Sequence, residues 1–253
     1  MKFPSEIVSL PSKGFFYAED NPLSSGELEM RYMTAKDEDI LTSQNLIRRG
    51  VVIDKLLKSL VVDKSINLDS MLIGDKNALM VAARVLGYGK DYNFEVDCPA
   101  CSEHNKDSVD LTLLVEKAVS FDGLEKGINE FSWTLPKSKI DIKFKLLTQK
   151  DEREIDAELK GLKKISKNDV ESDITTRLKK VITSVNGNSE QAFINNFVDT
   201  SLLAVDSMPF REHLRNITPD VDMSYNLECS LCAHAEEVTV PMTVQFFWPS
   251  ARV

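Results

Sequence analysis

The sequence predicts an α+β protein in which helical blocks surround a small β unit split between two distant Cys-x-x-Cys hairpins. Two cysteine pairs, Cys98/Cys101 and Cys229/Cys232, each follow a strand-like segment and precede a polar turn and a second alternating run. Segments of helical period occupy much of the remaining chain. Alternation around residues 130–147 predicts a β-hairpin, and shorter alternation near the start predicts an N-terminal β arm.

Length and charge narrow the class of protein. The chain has 253 residues, enough for one large domain or two small ones, and its net charge is −9, from 31 basic and 40 acidic residues. An acidic surface serves neither phosphate neutralisation nor attraction to anionic lipids, which argues against a general nucleic-acid or membrane-surface binder. No apolar run approaches the ~20 residues of a membrane helix, and we see no hydrophobic leader, so we expect a cytoplasmic location.

Residues 1–33 are predicted to form the β arm. Residues 10–17 combine a turn containing Pro and Gly with an aromatic run that predicts a strand, and residues 27–33 alternate like a half-buried strand. Thr34 precedes several acidic residues, which predicts the start of a helical block over residues 34–90. Helices are expected in this block at about residues 35–44, 48–60 and 75–87.

The cysteine units, residues 91–115 and 223–249, are predicted to meet as one split unit, with residues 116–222 as an insertion. In the insertion, alternating aromatic and aliphatic residues on both sides of Pro136 predict the hairpin. No linker-like tract interrupts the chain, so these parts are expected to form one compact body. Further helices are expected at about residues 111–118, 149–164, 169–185 and 189–204, and from residue 207 onward.

The four cysteines are the only ones in the chain. Two cysteines separated by two residues direct both sulfurs at one ion from a tight turn, and two such turns complete a closed four-thiolate zinc site. We therefore expect a split zinc-ribbon-like unit in which Cys98, Cys101, Cys229 and Cys232 hold one structural zinc ion. The pairs are separated by 127 residues (102–228), so a shared ion would close a very large loop.

Other uses of the cysteines remain open. Disulfides are an alternative, although a cytoplasmic chain of this size does not normally need them. A thioredoxin-like redox pair is usually single and lies where a strand enters a helix, which does not match this pattern. Four unrelated core cysteines are the third alternative. His104 and His234 follow the pairs and could replace a cysteine as ligand, but we interpret them as exposed turn residues.

We predict that the protein is not an enzyme. The three histidines, His104, His213 and His234, have no nucleophile at a recognised spacing, and the common metalloprotease, nucleotide-binding and hydrolase motifs are absent from the sequence. The acidic residues are scattered among lysines in predicted helices, where they are typical of a solvated surface. A four-thiolate site is closed and therefore structural.

Several short segments together resemble the baseplate protein family of T-even-type contractile-tailed bacteriophages. They are LPSKGFFY (10–17), YGKDY (88–92) ahead of the first cysteine pair, the stretch from Asp206-Ser207 to PDVD (219–222), the second cysteine pair, and FFWP (246–249). The resemblance implies a late viral protein of the central baseplate hub, either a structural subunit or an assembly chaperone. It implies other baseplate or tail hub proteins as partners, and a location in the host cytoplasm during assembly or in the virion tail.

The zinc prediction rests on cysteine spacing and not on this resemblance. Ser102 and Ala233 follow the two pairs, where glycine is frequent in zinc knuckles because that residue often takes a positive φ. An alternative function is a zinc-ribbon protein that binds nucleic acid or acts in transcription. The acidic charge argues against it, because a ribbon that reads DNA normally presents a basic strip.

Overall fold

The β-sheets in the described part of the chain are small and antiparallel. The computed structural model describes residues 4–165, 172–242 and 244–248. Its strands are β1 (Ser5–Ser9), β2 (Glu27–Arg31), β3 (Asp91–Asp97), β4 (His104–Asp110), β5 (Phe131–Thr134), β6 (Asp141–Phe144), β7 (Ile182–Val185), β8 (Ser224–Glu228) and β9 (Ala235–Thr239). They pair as β1-β2, β3-β4, β5-β6-β7 and β8-β9. The predicted α+β class is therefore confirmed.

The helices lie mainly in two groups, one before the first cysteine unit and one in the insertion. They are α1 (Ala35–Thr42), α2 (Gln44–Arg48), α3 (Val52–Leu60), α4 (Ile73–Tyr88), α5 (Gln149–Ile165), α6 (Asp173–Val181), α7 (Gln191–Thr200), α8 (Ala204–Ile217) and α9 (Val244–Phe247). Short 3-10 helices occur at Pro22–Ser25, Leu68–Ser70 and Leu111–Leu113. None of the helices within the described ranges is long and apolar enough to cross a membrane.

Helix α4 is the central element, because it carries buried residues on more than one side, including Leu79, Val81 and Ala83. Its N-terminal turn is crowded by remote parts of the chain. A Cβ added at Gly74 would lie 1.9 Å from the carbonyl oxygen of Pro219, so only glycine fits there without a shift of backbone. Helix α4 therefore contacts both the N-terminal arm and the insertion.

The N-terminal arm contains two strands, but only one lies where the sequence placed it. The predicted strand at residues 27–33 is β2, whereas the aromatic run that ends residues 10–17 is a turn. Lys13 and Gly14 both take positive φ, and the buried carboxylate of Asp75 on α4 accepts hydrogen bonds from Ser12 and Tyr17. These bonds hold the aromatic residues against α4 as a compact turn, so the partner of β2 is the preceding segment, β1.

In the insertion, the expected hairpin is the first part of a three-stranded sheet. Residues 182–185, predicted as the end of a helix at 169–185, form β7 and pair with β6. Ile182 and Val185 are β-branched and buried, and packing on the sheet outweighs the weak helical pattern there. The predicted start of that helix falls outside the described residues.

Two other helix predictions also differ from the structure. At residues 111–118 a 3-10 turn, Leu111–Leu113, is followed by extended chain that bridges Glu116 to Val221. Helix α8 begins at Ala204 and not at residue 207, so Pro209 lies inside the helix beyond its first turn. Proline removes the N–H that would bond the carbonyl of Val205, but Val205 is exposed and water can bind there.

Candidate metal centre

Each cysteine pair forms the tip of a two-stranded hairpin. In the first hairpin, β3-β4, the N–H of Cys98 donates to the carbonyl of Glu103 at 2.8 Å, and the N–H of Ser102 donates to the carbonyl of Cys98 at 2.8 Å. In the second, β8-β9, the N–H of Cys229 donates to His234 at 2.9 Å and the N–H of Ala233 to Cys229 at 3.0 Å. The two turns therefore have the same hydrogen-bond pattern. In both, the second strand begins directly after the turn, at His104 and Ala235.

The residue after each pair takes a left-handed conformation. Ser102 has φ 60° and Ala233 has φ 55°, so both occupy the position that glycine fills most easily. Both turns therefore form although serine and alanine stand where glycine is usual, and the backbone is strained at these two residues.

The structure brings all four sequence-predicted cysteines together. Their sulfur atoms all lie within 4.8 Å of one another, and all four are free thiols. Two close approaches join the hairpins: Cys98 Sγ lies 3.8 Å from Cys232 Sγ, and Cys101 Sγ lies 3.7 Å from Cys229 Sγ. Four sulfurs bound at about 2.3 Å to a tetrahedral zinc ion lie about 3.8 Å apart, so these spacings fit such an ion.

The four thiols differ in their exposure to solvent and in their pKa. Cys98 and Cys229 are buried, whereas Cys101 and Cys232 are exposed. Hydrogen bonds from the N–H of Cys232 and, to a lesser extent, the N–H of Leu231 lower the pKa of the Cys229 thiol to about 6, although burial opposes this shift. A hydrogen bond from the N–H of Glu103 favours the Cys101 thiolate. The neighbouring sulfurs, above all that of Cys232, and the loss of hydration outweigh this bond and raise the pKa of the Cys101 thiol to about 12. Four adjacent thiolates repel one another, and a bound cation would allow all to ionise.

Aromatic residues pack the two hairpins together below the cysteines. The Tyr92 hydroxyl donates to the carbonyl of Pro241 at 2.8 Å, and its ring meets the ring of Phe246 edge to face at 4.9 Å. Phe94 meets Tyr225 at 5.2 Å, also edge to face. Because these contacts join β3 to residues more than a hundred positions later, the hairpins associate along their length and not only at the sulfurs.

The repeat of the sequence Tyr-Asn-apolar-Glu before each cysteine pair is out of register in space. Tyr92 lies six residues before Cys98, whereas Tyr225 lies four residues before Cys229. Measured from the cysteines, Phe94 is therefore the residue equivalent to Tyr225. A shift of two residues keeps side chains on the same face of a strand. Tyr225 therefore still meets the first hairpin at Phe94, while Tyr92 contacts Pro241 and Phe246, which follow the second hairpin.

The two histidines near the cysteines interact with carboxylates of their own hairpins. His104 contacts Asp97 at 2.7 Å and Glu95 at 3.0 Å, and these carboxylates raise its pKa. His234 contacts Glu236 at 3.0 Å. Neither belongs to the group of potential metal ligands found among the described residues, which consists of the four cysteines.

One buried polar residue of the site was missed from the sequence. The Asn105 side-chain oxygen accepts hydrogen bonds from the N–H and the hydroxyl of Ser230, both at 3.0 Å. Its nitrogen donates to the carbonyl of Glu103 at 2.9 Å and approaches Cys229 Sγ at 3.8 Å. The only signal in the sequence is an asparagine within a strand close after a cysteine pair, which by itself indicates nothing about a partner 125 residues away.

Fold and site together define a class: an α+β protein in which two hairpins far apart in sequence meet at a four-thiol cluster. A model of the family described as T4 bacteriophage base plate protein matches residues 15–248, and the chain belongs to this family. The family resemblance noted in the sequence is therefore confirmed. Comparisons with curated proteins and with solved structures gave no match.

Proposed function

We propose that this protein is a non-enzymatic component of the phage tail baseplate hub, or a chaperone of hub assembly, that acts through protein–protein contacts. Membership of the base plate family supports a structural or assembly role in the tail. The single observation that carries the proposal is the match of that family over residues 15–248, which includes the second half of the arm, both helical groups and both cysteine hairpins. Its partners are other baseplate or tail hub proteins, met in the host cytoplasm and, for a structural subunit, retained in the virion.

The second part of the proposal is a structural zinc ion held by Cys98, Cys101, Cys229 and Cys232. The donor set supports it: thiolates at tetrahedral spacing, two from each of two matching turns, suit zinc. When bound, the ion would supply the positive charge that four adjacent thiolates require. Residues 91–115 and 223–249 would then form one split zinc-ribbon-like unit that fixes the C-terminal hairpin to the middle of the chain.

Two further observations support a role without catalysis. Four protein ligands leave no open coordination position at which a substrate or water could react. The buried aspartates are engaged in structural contacts. Asp37 pairs with Arg31 and caps α1, Asp75 holds the N-terminal turn, and Asp206 accepts the N–H groups of Lys137 and Ser138.

The proposal is tested by co-expressing the chain with each of the other baseplate proteins of its phage and measuring the masses of the complexes formed. We expect a stable complex with at least one hub protein. Mature particles analysed by mass spectrometry separate the two roles: a subunit remains in the tail, whereas a chaperone is present only during assembly. Failure to associate with any baseplate protein, together with salt-sensitive binding to mixed DNA, would instead support the nucleic-acid alternative.

Zinc is tested independently by elemental analysis of the purified protein. We expect about one zinc per chain, as for other closed four-thiolate sites. Protein purified under reducing conditions without any bound transition metal would contradict the metal part of the proposal and leave the assembly role untouched.

A further inference from the structure

The two cysteine turns match in backbone but differ in how they contact the opposite hairpin. Cys229 follows Cys98 by 131 residues (229 − 98), and the same offset relates Ser230 to Pro99 and Glu236 to Asn105. Ser230 lies inside the second turn and donates its N–H to Asn105 of the first hairpin. Pro99, at the equivalent place in the first turn, has no N–H to donate. The main-chain hydrogen bond from a cysteine turn to the opposite hairpin is therefore made by the second turn and not by the first.

The residue equivalent to Asn105 does not repeat its role. Glu236 is exposed and pairs with His234 of its own hairpin. Asn105, in contrast, is buried, with 6% of its surface exposed, and both ends of its amide have partners. Within the described chain, we find no side chain of the second hairpin that hydrogen-bonds the first turn at Pro99 or Ala100. The first turn is thus supported by its own hairpin, and the second turn is held by a side chain from the other.

We infer that Asn105 is a positioning residue that seats the second cysteine turn against the first hairpin, and that it sets how long the metal stays bound. This inference rests on the zinc part of the proposed function. The amide of Asn105 acts on the metal through Ser230 and Cys229, because fixing the Ser230 main chain fixes the direction of the adjacent cysteine. Such outer hydrogen bonds orient metal ligands, and losing one typically weakens metal binding by about 10- to 100-fold.

The same contacts imply that the second turn is seated before metal arrives. The bonds between Asn105 and Ser230 need no ion, and neither do the packing of Phe94 on Tyr225 and the hydrogen bond from Tyr92 to Pro241. Zinc would therefore enter a site whose four sulfurs are already close together. The amide of Ser230 should consequently be protected from hydrogen exchange in the zinc-free protein.

The test compares zinc transfer to a chelator from the full-length wild type and from two variants that remove the hydrogen bonds between Asn105 and Ser230 from opposite ends. Asn105→Ala removes the acceptor. Ser230→Pro removes both donors, the N–H and the hydroxyl, and proline suits this turn because Pro99 fills the equivalent position. We expect each variant to release zinc about 10- to 100-fold faster than the wild type, and the double variant to be no faster than the faster single variant, because all three lack the same contact between Asn105 and Ser230. Asn226→Ala, at an exposed asparagine on β8, is the matched control and should release zinc at the wild-type rate.

A second readout distinguishes positioning from ligation and from general loss of structure. Cobalt-loaded Asn105→Ala should keep the sulfur-to-metal charge-transfer band of a four-cysteine site, while its metal-free form should lose protection of the Ser230 amide. Wild-type release rates in both variants, or additive effects in the double variant, would overturn the inference. If the wild type bound no metal yet its Ser230 amide were protected and became exposed in Asn105→Ala, the zinc proposal would fail while the seating role of Asn105 stood.

Discussion

Ser102 and Ala233 adopt the same left-handed backbone conformation at equivalent positions of two turns that lie 131 residues apart (233 − 102). A side chain in this region costs roughly 1–2 kcal/mol per residue, because its Cβ crowds the neighbouring carbonyl. The chain accepts this strain twice, at the residue that completes each cysteine turn. The strain lies beside the candidate ligands and leads to a direct stability prediction.

Replacing Ser102 or Ala233 with glycine should stabilise the protein. Glycine removes the Cβ crowding but increases the freedom of the unfolded chain, so we expect a net gain of about 0.5–1 kcal/mol for each change. Urea denaturation measures the gain. Ala100→Gly, in the same turn at a residue without positive φ, is the control and should lower stability slightly. Equal losses at all three positions would mean that the left-handed geometry carries no strain.

Replacing Cys98 or Cys229 with serine should abolish zinc binding. Because metal binding is coupled to folding, we expect each variant to lose several kcal/mol of stability when zinc is present. In zinc-free buffer the difference between the variants and the wild type should largely disappear. Elemental analysis and thermal unfolding with and without a chelator measure both effects. Unchanged melting of both variants in zinc would argue strongly against a metal held by these thiols.

The close contact at Gly74 predicts a large effect from a small change. An alanine Cβ there would meet the carbonyl of Pro219 at 1.9 Å, and that backbone cannot rotate away as a flexible side chain can. Gly74→Ala should therefore cost about 3 kcal/mol or more of unfolding free energy. Gly161→Ala is the control: this helical glycine has no atom within 4 Å of an added Cβ, and the change should stabilise by about 0.5–1 kcal/mol. Two similar outcomes would contradict the packing of α4 against residue 219.

Tyr17→Phe should destabilise the N-terminal turn. The buried Tyr17 hydroxyl donates to Asp75 at 2.5 Å and accepts the N–H of Leu72 at 2.9 Å, and burial beside that carboxylate raises its pKa. Removing the hydroxyl leaves the buried N–H of Leu72 without this acceptor and removes one hydrogen bond from Asp75, which keeps those from Ser12, so we expect a loss of about 1–3 kcal/mol. Tyr32→Phe, at an exposed tyrosine whose hydroxyl meets Glu6, should change stability by less than about 0.5 kcal/mol. Denaturant titrations of both variants decide whether the buried contact dominates.

Asp37 should make the protein sensitive to acid. Burial opposes ionisation of this carboxyl, but hydrogen bonds from Arg31, Ser59 and Thr34 outweigh burial and hold its pKa well below the ordinary value. The unfolded chain therefore binds a proton more readily than the folded chain, so the contribution is full above about pH 4 and is lost as pH falls toward the folded pKa. Unfolding free energies measured from pH 7 to pH 2.5 should fall less steeply for Asp37→Asn than for the wild type. Parallel curves would show that Asp37 is not the group that titrates.

The sequence carried much of the local information. The two cysteine pairs predicted their turns, and Thr34 predicted a capped helix start that the structure contains. Helix α4 lies within two residues of its predicted bounds, because strong apolar patterns and breakers such as Gly89 are local signals. Secondary structure was harder to predict where the same segment could form either a helix or a strand. Residues 182–185 continue a helical pattern but become a strand because β6 offers them a buried edge.

By itself, the sequence determined the α+β class, the two matching cysteine turns and the family, because residue type, spacing and short motifs express these directly. Tertiary structure alone decided that Asn105 holds Ser230, that Pro219 leaves no room beside Gly74, and that Asp75 draws an aromatic run into a turn. Each of these depends on a contact across many tens of residues. Such contacts arise only once the core has packed, when a buried polar atom or a missing Cβ acquires a particular neighbour.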